Sequence, residues 1–511
     1  MAAETLAEIP SLTPLDQHNR RLQENVHPPE WVNPAPKPQY DLIVIGAGTA
    51  GLVCAAGAAG LGARVALIEK SLMGGDCLNV GCVPSKALIR AARAAAEIRE
   101  AGAFGVRLQG LVEVDFPAVM QRLRKLRADL SGHDSAQRFR GLGVDVFIGE
   151  GRFMDRRSIG IGPQVLRFSK AAIATGARAV DLPIPGLAEA GYLTNENIFC
   201  LTRRPARLAV IGGGPIGCEL AQAFARLGTQ VFLLEQQRQL LPREDRDAAA
   251  IVKKALVNDG VEINCCCNIK SIRARDNRKL LALDCPDAAN ELTVDEILIG
   301  VGRAPNVEGL NLEAAGVKYD KRGVQVDDFL RTTNGRIFAA GDICSPYKFT
   351  HAADAMARIV IHNALFLGRK RIRALMVPWC TYTDPEVAHV GRYPTEAEKR
   401  GIIFDTVMVP LEEVDRAVLD SETTGFLKVH VRKGSGQLLG ATLVARHAGE
   451  MISELTLAMQ AGVSLGRIAS VIHPYPTQAE IIKRAADQFN RRRLTPRVRK
   501  LLGLILSMNR W

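Results

Sequence analysis

The sequence predicts an α/β chain: two doubly wound parallel-sheet units, followed by a smaller α+β unit. Three observations carry that prediction. A pattern of apolar strand, glycine turn, helix and second strand ending in an acid occurs at "YDLIVIGAGTAG" to "ARVALIEK", and returns at "RLAVIGGGPIG" to "TQVFLLE". The two copies share one spacing, twenty-three positions from Gly46 to Glu69 and from Gly212 to Glu235. The C-terminal part, with "GFLKVHV", "GQLLGATLVA" and "GEMISELTLAMQAG", reads as strands followed by a helix and holds no third copy.

Each copy has the context that a dinucleotide fingerprint requires, a glycine turn between a strand and a helix with an acid closing the next strand. Gly46 and Gly212 allow the tight turn. Gly48 and Gly214 let the backbone approach a pyrophosphate, which the helix N-terminus stabilises, and Gly51 and Gly217 let helix and strand pack closely. Glu69 and Glu235 are placed to accept hydrogen bonds from a ribose. The sequence is therefore expected to form two Rossmann-type domains and to bind two dinucleotides.

Length and composition agree with this organisation. At 511 residues the chain is too long for one compact domain, and roughly two to four are expected. It is 47% hydrophobic and 23% charged, an ordinary globular composition. No run of eighteen uncharged apolar residues reads as a membrane span. The start, "MAAETLAEIPSLTPLDQHNRR", is acidic and lacks an apolar core, so it is not a secretory signal, and a cytoplasmic location is expected. In that setting eleven cysteines do not suggest a disulfide framework, and a closely spaced pair points to redox or metal chemistry. The net charge is +12, but basic residues are not interleaved with aromatics, so no nucleic-acid partner is expected.

The boundaries follow from these signals. Residues 1–39, Pro-rich in "HPPEWVNPAPKPQ", are expected to form an extended arm. Residues 40–185 and 311–375 form the first nucleotide domain in two parts, 186–310 the second, 376–490 the α+β domain and 491–511 a basic tail.

"GGDCLNVGCVPSK" at 74–86 carries the chemistry. Cys77 lies eight residues beyond Glu69, close to the first nucleotide. Cys82 opens the helical stretch "VPSKALIRAARAAAEIREAG", and both the helix N-terminus and Lys86 one turn on lower a thiol pKa. A lone CxxxxC is a poor zinc site, and no metal ligands are assigned. The better reading is a redox-active disulfide beside a dinucleotide. Electron traffic between a nicotinamide and a disulfide needs a carrier for both hydride and thiolate chemistry, which a flavin is. The first cofactor is then FAD and the second NADH or NADPH. Glu235 repels a 2′-phosphate and favours NADH, while Arg238 and Arg243 keep NADPH open.

This segment resembles the active-site stretch of the class I pyridine nucleotide-disulfide oxidoreductases, whose members include dihydrolipoamide dehydrogenase, glutathione reductase and mercuric reductase. The resemblance runs over roughly residues 40 to 490 and includes "AAIATGARA", "GVGRAPN" and "TTNGRIFAAGDIC". It implies that Cys77 is the thiol that meets substrate and Cys82 the thiol facing the flavin, forming a charge-transfer pair when reduced. It also implies that Lys86, paired with Glu219, lies by the flavin ring near the nicotinamide. Gly151, Thr175, Gly176, Asp342, Phe349, Thr350 and His351 become further FAD contacts, and Gly302 a contact of the NAD(P) nucleotide. A homodimer is implied, with the C-terminal domain of one subunit completing the partner's active site.

One departure narrows the chemistry. Disulfide-reducing members carry a His-Pro-Thr motif followed by a glutamate, the histidine serving as acid/base for the leaving thiol. Here "IHPYPTQAEIIK" puts Tyr475 in that histidine's place, with Glu480 as the carboxylate. A phenol of ordinary pKa about 10 cannot shuttle protons near neutral pH as imidazole does. His473, two residues earlier, is a stand-in, but Pro474 and Pro476 after it stiffen the backbone. A tyrosine here, with "YTDPEVAHVG" from Tyr382, is similar to mercuric reductase, and reducing Hg(II) needs soft thiolates but no proton for a leaving thiol. Mercuric reductases also carry a C-terminal cysteine pair, whereas nothing after Cys380 is a cysteine here. "CCC" at 265–267 is expected to be a run of buried structural thiols in a strand. In the tail, Val498, Leu501, Leu502 and Ile505 fall on one helical side beside cations, which suggests weak membrane contact.

Overall fold

A computed structural model describes residues 12–508 and 510, apart from 108, 111, 287, 288 and 367. The chain divides into two compact units, residues to 238 with 259–375, and 239–258 with 376 onward. The segment 239–258 therefore groups with the C-terminal unit, whereas the sequence boundaries assign it to 186–310.

The first unit holds both glycine-turn repeats. Strands Tyr40–Ile45 and Val65–Glu69 pair in parallel, Leu42 opposite Val65, and Val144–Ile148 and Gln164–Ile173 extend the sheet on either side. A parallel sheet covered on both faces needs strands apolar throughout, and Leu42, Ile43 and Val44 are fully buried. Ile337–Ala339 joins the same sheet against Gln164–Ile173, so the second part of the first nucleotide domain returns to the first part. The second repeat builds a four-stranded parallel sheet, Glu262–Cys265, Gln230–Glu235, Arg207–Ile211 and Glu296–Ile299 in spatial order. An antiparallel sheet of Asn268–Arg275, Arg278–Asp284 and Glu291–Val294 accompanies it. The second unit is built on a five-stranded antiparallel sheet whose strand Leu438–Ala445 is buried along its whole length. Helices Ala448–Gln460 and Glu480–Arg492 pack on it through Ile452, Leu455, Ile481 and Ile482. The expected α/β class, with two nucleotide-type domains and a C-terminal α+β domain, is the fold observed.

Two local expectations are corrected. The arm is not simply extended. Asp16 caps a helix, Gln17–Val26, by accepting the N–H groups of His18 and Asn19, and Leu22 and Val26 are fully buried. The apolar pair at i and i+4 gives this polar helix a packing face, and the chain beyond it is pinned by the Trp31 Nε1–H bond to the Val146 carbonyl. The "CCC" run is not a continuous strand of buried thiols. The strand ends at Cys265, Cys266 turns the chain at φ 57°, and Cys267, the one of the three that is buried, is bonded to Cys285.

Candidate active site

The two glycine turns are physical copies. Gly46 and Gly212 have φ of 98° and 106°, a region that β-carbons disfavour. A β-carbon on Gly51 would stand 1.8 Å from the Gly46 carbonyl oxygen, and one on Gly217 1.9 Å from that of Gly212. Helix and strand backbones touch there. At the middle glycines the space opens, with the nearest atom 3.7 Å from a β-carbon on Gly48 and 3.8 Å from one on Gly214. These open positions, directly at helix N-termini, fit a pyrophosphate held by backbone N–H groups. Each acid braces its own turn. Glu69 accepts from the N–H groups of Ala47 at 2.7 Å and Ser71 at 2.8 Å, and Glu235 from those of Gly213 at 2.5 Å and Gln237 at 2.7 Å. Burial pushes the Glu69 carboxyl up despite those donors.

The thiol segment rests on the first turn. Gly75, at φ 56°, lies so close to Gly48 that a β-carbon would approach the Gly48 α-carbon to 2.7 Å. That contact fixes the short helix Gly75–Asn79, which carries Cys77. Cys82 is the first residue of the nineteen-residue helix Cys82–Glu100, where aligned peptide dipoles favour an anion. Its Sγ lies 3.4 Å from Thr350 Oγ1. The Cys82 thiol is pulled down to about 6, chiefly by a hydrogen bond from Cys77 and further by Thr350 and Lys86, against burial and Glu219. The Cys77 thiol moves the other way, raised by sharing its proton with Cys82 and by burial. The pair is thus asymmetric, with thiolate on Cys82 and thiol on Cys77.

Lys86 Nζ meets Glu219 Oε2 at 2.8 Å, and the Glu219 side chain is buried in helix Pro215–Arg226 of the second nucleotide fold. This ion pair therefore ties the thiol helix to the helix that starts at the second glycine turn. Thr350 opens helix Thr350–Leu365, preceded by Phe349, whose ring stacks on His351 at 5.4 Å. Asp342, raised by burial, lies 3.7 Å from Arg303 Nε, and Lys348 donates to its carbonyl oxygen. Thr175 and Asn306 exchange two hydrogen bonds of 2.9 Å, and Gly176, at φ 70°, and Gly302, at φ 141°, have open space where a β-carbon would stand. At Gly151 a β-carbon would meet Ile68 at 2.9 Å, so packing requires a glycine there.

Tyr475 and Glu480 lie in the second unit, on a polar chain of their own. Tyr475, 71% exposed, donates to Asp415 at 2.9 Å, Arg484 bridges Asp415 and Glu480, and the Asp415 bond raises the phenol. Glu480 Oε2 is buried and makes no hydrogen bond. His473 turns away, its side chain 6% exposed, with Nε2 3.0 Å from Glu454 and Nδ1 3.2 Å from the Val471 carbonyl. Both ring nitrogens already face acceptors.

Three contributors were not among the site residues expected from the sequence. Arg303, within "GVGRAPN", donates to Asp76 beside Cys77 and to the Ala177 carbonyl. Asp134, raised by burial, lies against Gly74 and disfavours a charge on Cys77. Arg127, buried, donates to the Asn79 carbonyl at 2.7 Å and to Asn19 Oδ1 at 2.6 Å, linking the N-terminal helix to the end of the Cys77 helix. Among the described residues no cluster of three or more His, Cys, Asp or Glu is set to hold a metal ion.

Comparison with known proteins agrees with this geometry. Residues 40–357 match the pyridine nucleotide-disulphide oxidoreductase family, and 377–486 match its dimerisation domain. Mercuric reductase of Staphylococcus aureus is 34% identical over 457 residues, covering 88% of this chain and 83% of that one. Dihydrolipoyl dehydrogenase of Geobacillus stearothermophilus is 34% identical over 454 residues, covering 88% and 96%. Among solved structures, the Cu(II) complex of the HOCl-induced flavoprotein disulfide reductase RclA from Escherichia coli is 30% identical. It superposes with a TM-score of 0.78 over 87% of this chain and 98% of that one. The matched dimerisation domain supports a homodimer, and the family's cofactors, FAD and NAD(P)H, suit the two open turns. The chain belongs to the pyridine nucleotide-disulphide oxidoreductases, as a flavoprotein of the class that mercuric reductase and dihydrolipoyl dehydrogenase share.

Proposed function

We propose that this protein passes electrons from NAD(P)H, through FAD and the Cys77–Cys82 pair, to a thiophilic metal ion in the manner of a mercuric reductase. FAD, held at the first glycine turn, would supply the link between hydride transfer from NAD(P)H and two-electron reduction of the disulfide. The chain's own groups govern the reduced state. Cys82, as the first residue of its helix and near Lys86, holds the thiolate. Cys77 keeps the proton and meets the acceptor, losing that proton as its sulfur binds a soft cation. Lys86, held by Glu219, keeps a positive charge near the thiolate and at the start of the second nucleotide fold.

The observation that carries the metal reading is the side chain at 475. A disulfide substrate needs a proton for its leaving thiol, and the tyrosine here is a raised phenol bonded to Asp415, while His473 is engaged by Glu454. A metal substrate needs no such proton. The Cu(II) complex formed by the similar flavoprotein RclA supports keeping copper beside Hg(II) among the thiophilic acceptors.

The test is NAD(P)H oxidation by the purified holoenzyme with Hg(II) in excess small thiol, beside oxidised lipoamide and glutathione disulfide. Hg(II)-dependent turnover that vanishes in Cys77→Ser is expected. Turnover with oxidised lipoamide that falls in His473→Ala would instead establish a disulfide reductase and overturn the proposal.

A further inference from the structure

The helix Pro496–Met508 lies outside the redox chemistry, and none of its residues is buried. Its composition is not that of a solvated helix end. Leu504, Met508, Leu501, Ile505, Val498, Leu502 and Leu506 lie on an arc of roughly 200° at 100° per residue, broken near one edge by Arg497 between Leu504 and Met508. Leu501 is 58% exposed, Leu506 57% and Met508 75%. The remaining arc holds Arg499, Gly503, Ser507 and Lys500. The segment leading into it, Arg491, Arg492 and Arg493, adds three more cations, and no acid follows Asp487.

An apolar arc of this width stays exposed at a cost unless something covers it. The charge pattern selects the cover. Two copies of this segment brought face to face would each present the same seven cations of residues 491–511, and like charges repel. An anionic surface that also offers a hydrocarbon layer satisfies both features at once. The helix is thirteen residues, too short to span a bilayer, and among the described residues no helix is long and apolar enough to cross one. Its geometry is that of a helix lying in the interfacial plane, leucines down and arginines at the headgroups.

We propose that residues 491–508, the helix Pro496–Met508 with its cationic lead-in, dock the protein reversibly on anionic phospholipid. The apolar arc inserts to the depth of the acyl-chain boundary, and the cations neutralise headgroup phosphates. Each cation near such a surface contributes about a fivefold gain in binding, so their loss or screening by salt weakens attachment steeply. Attachment rests on this helix alone and is independent of which acceptor the thiols reduce.

Flotation of the full-length holoenzyme with vesicles tests this, using phosphatidylglycerol–phosphatidylcholine mixtures beside pure phosphatidylcholine. Co-flotation with the anionic vesicles only, reversed by high salt, is expected. The double variant Leu501→Glu/Ile505→Glu should lose at least about tenfold in vesicle affinity while keeping its flavin spectrum and thiol titration. Because both side chains are exposed, the fold does not depend on them. Absence of wild-type flotation would overturn the proposal, as would equal flotation of the variant, which would place any lipid contact on another basic surface. A change in sedimenting mass on making the variant, without vesicle binding by the wild type, would show that a second copy covers the helix.

Discussion

At the scale of single residues, the asymmetry of the thiol pair decides the chemistry. Cys82 is depressed to about 6 from an ordinary thiol value, so the reduced enzyme carries thiolate there at neutral pH. We expect its charge-transfer absorption to grow as pH rises through about 6 and to be lost on acidification below that point. Lys86→Met removes a cation that favours the thiolate, so the midpoint should rise by about one unit. An unmoved midpoint would show that Lys86 does not act on Cys82. Cys82 and Lys86 were legible in the sequence because a helix start and a cation one turn on are local patterns, whereas Glu219 came only through the family resemblance. Asp134, Arg303 and Arg127 were not legible. Their partners lie tens to hundreds of positions away, Arg303 to Asp76 across 227 residues, and no spacing rule announces such a contact.

At the scale of elements, backbone contact governs the turns and a buried network holds the thiol loop. A methyl at Gly51 meets the Gly46 carbonyl oxygen, which cannot move without opening the turn. Gly51→Ala should cost at least about 2 kcal/mol and yield protein purified with little flavin, read by the flavin-to-protein absorbance ratio. Retention of full flavin would contradict the assigned turn. The N-terminal helix reaches the thiol loop through Asn19, Arg127 and the Asn79 carbonyl, and Asp16 binds Arg124 at 2.6 Å beside it. Arg127→Ala leaves that carbonyl and Asn19 without their donor, and should lower stability by about 2–3 kcal/mol in a denaturant melt. A change under about half a kcal/mol would mean the arm only rests on the surface. The sequence hid this helix because "QHNRRLQENV" is polar and its proline-rich sequel draws the eye to extended chain. The cap at Asp16 and the Leu22–Val26 pair were its readable signals. At "CCC", alternation failed because Cys266 adopts a positive φ that ends the strand's period.

At the scale of the whole molecule, the chain is a duplicated nucleotide fold with an appended dimerisation domain, and the duplication was readable because both copies keep one turn chemistry and one spacing. Assembly was not readable from residue patterns and came through resemblance, since an interface between copies leaves no periodic trace. Sedimentation equilibrium should give twice the 55.4 kDa chain mass, and a monomer would contradict the homodimer. The central claim is that electrons from NAD(P)H reach the Cys77–Cys82 pair. Anaerobic titration of the holoenzyme with NADH, followed by visible absorption, tests it most directly. The account predicts that the first two electrons settle on the thiols, with oxidised flavin and a long-wavelength thiolate charge-transfer band that Cys82→Ser abolishes. Direct bleaching of the flavin by those same two electrons, without the band, would contradict it.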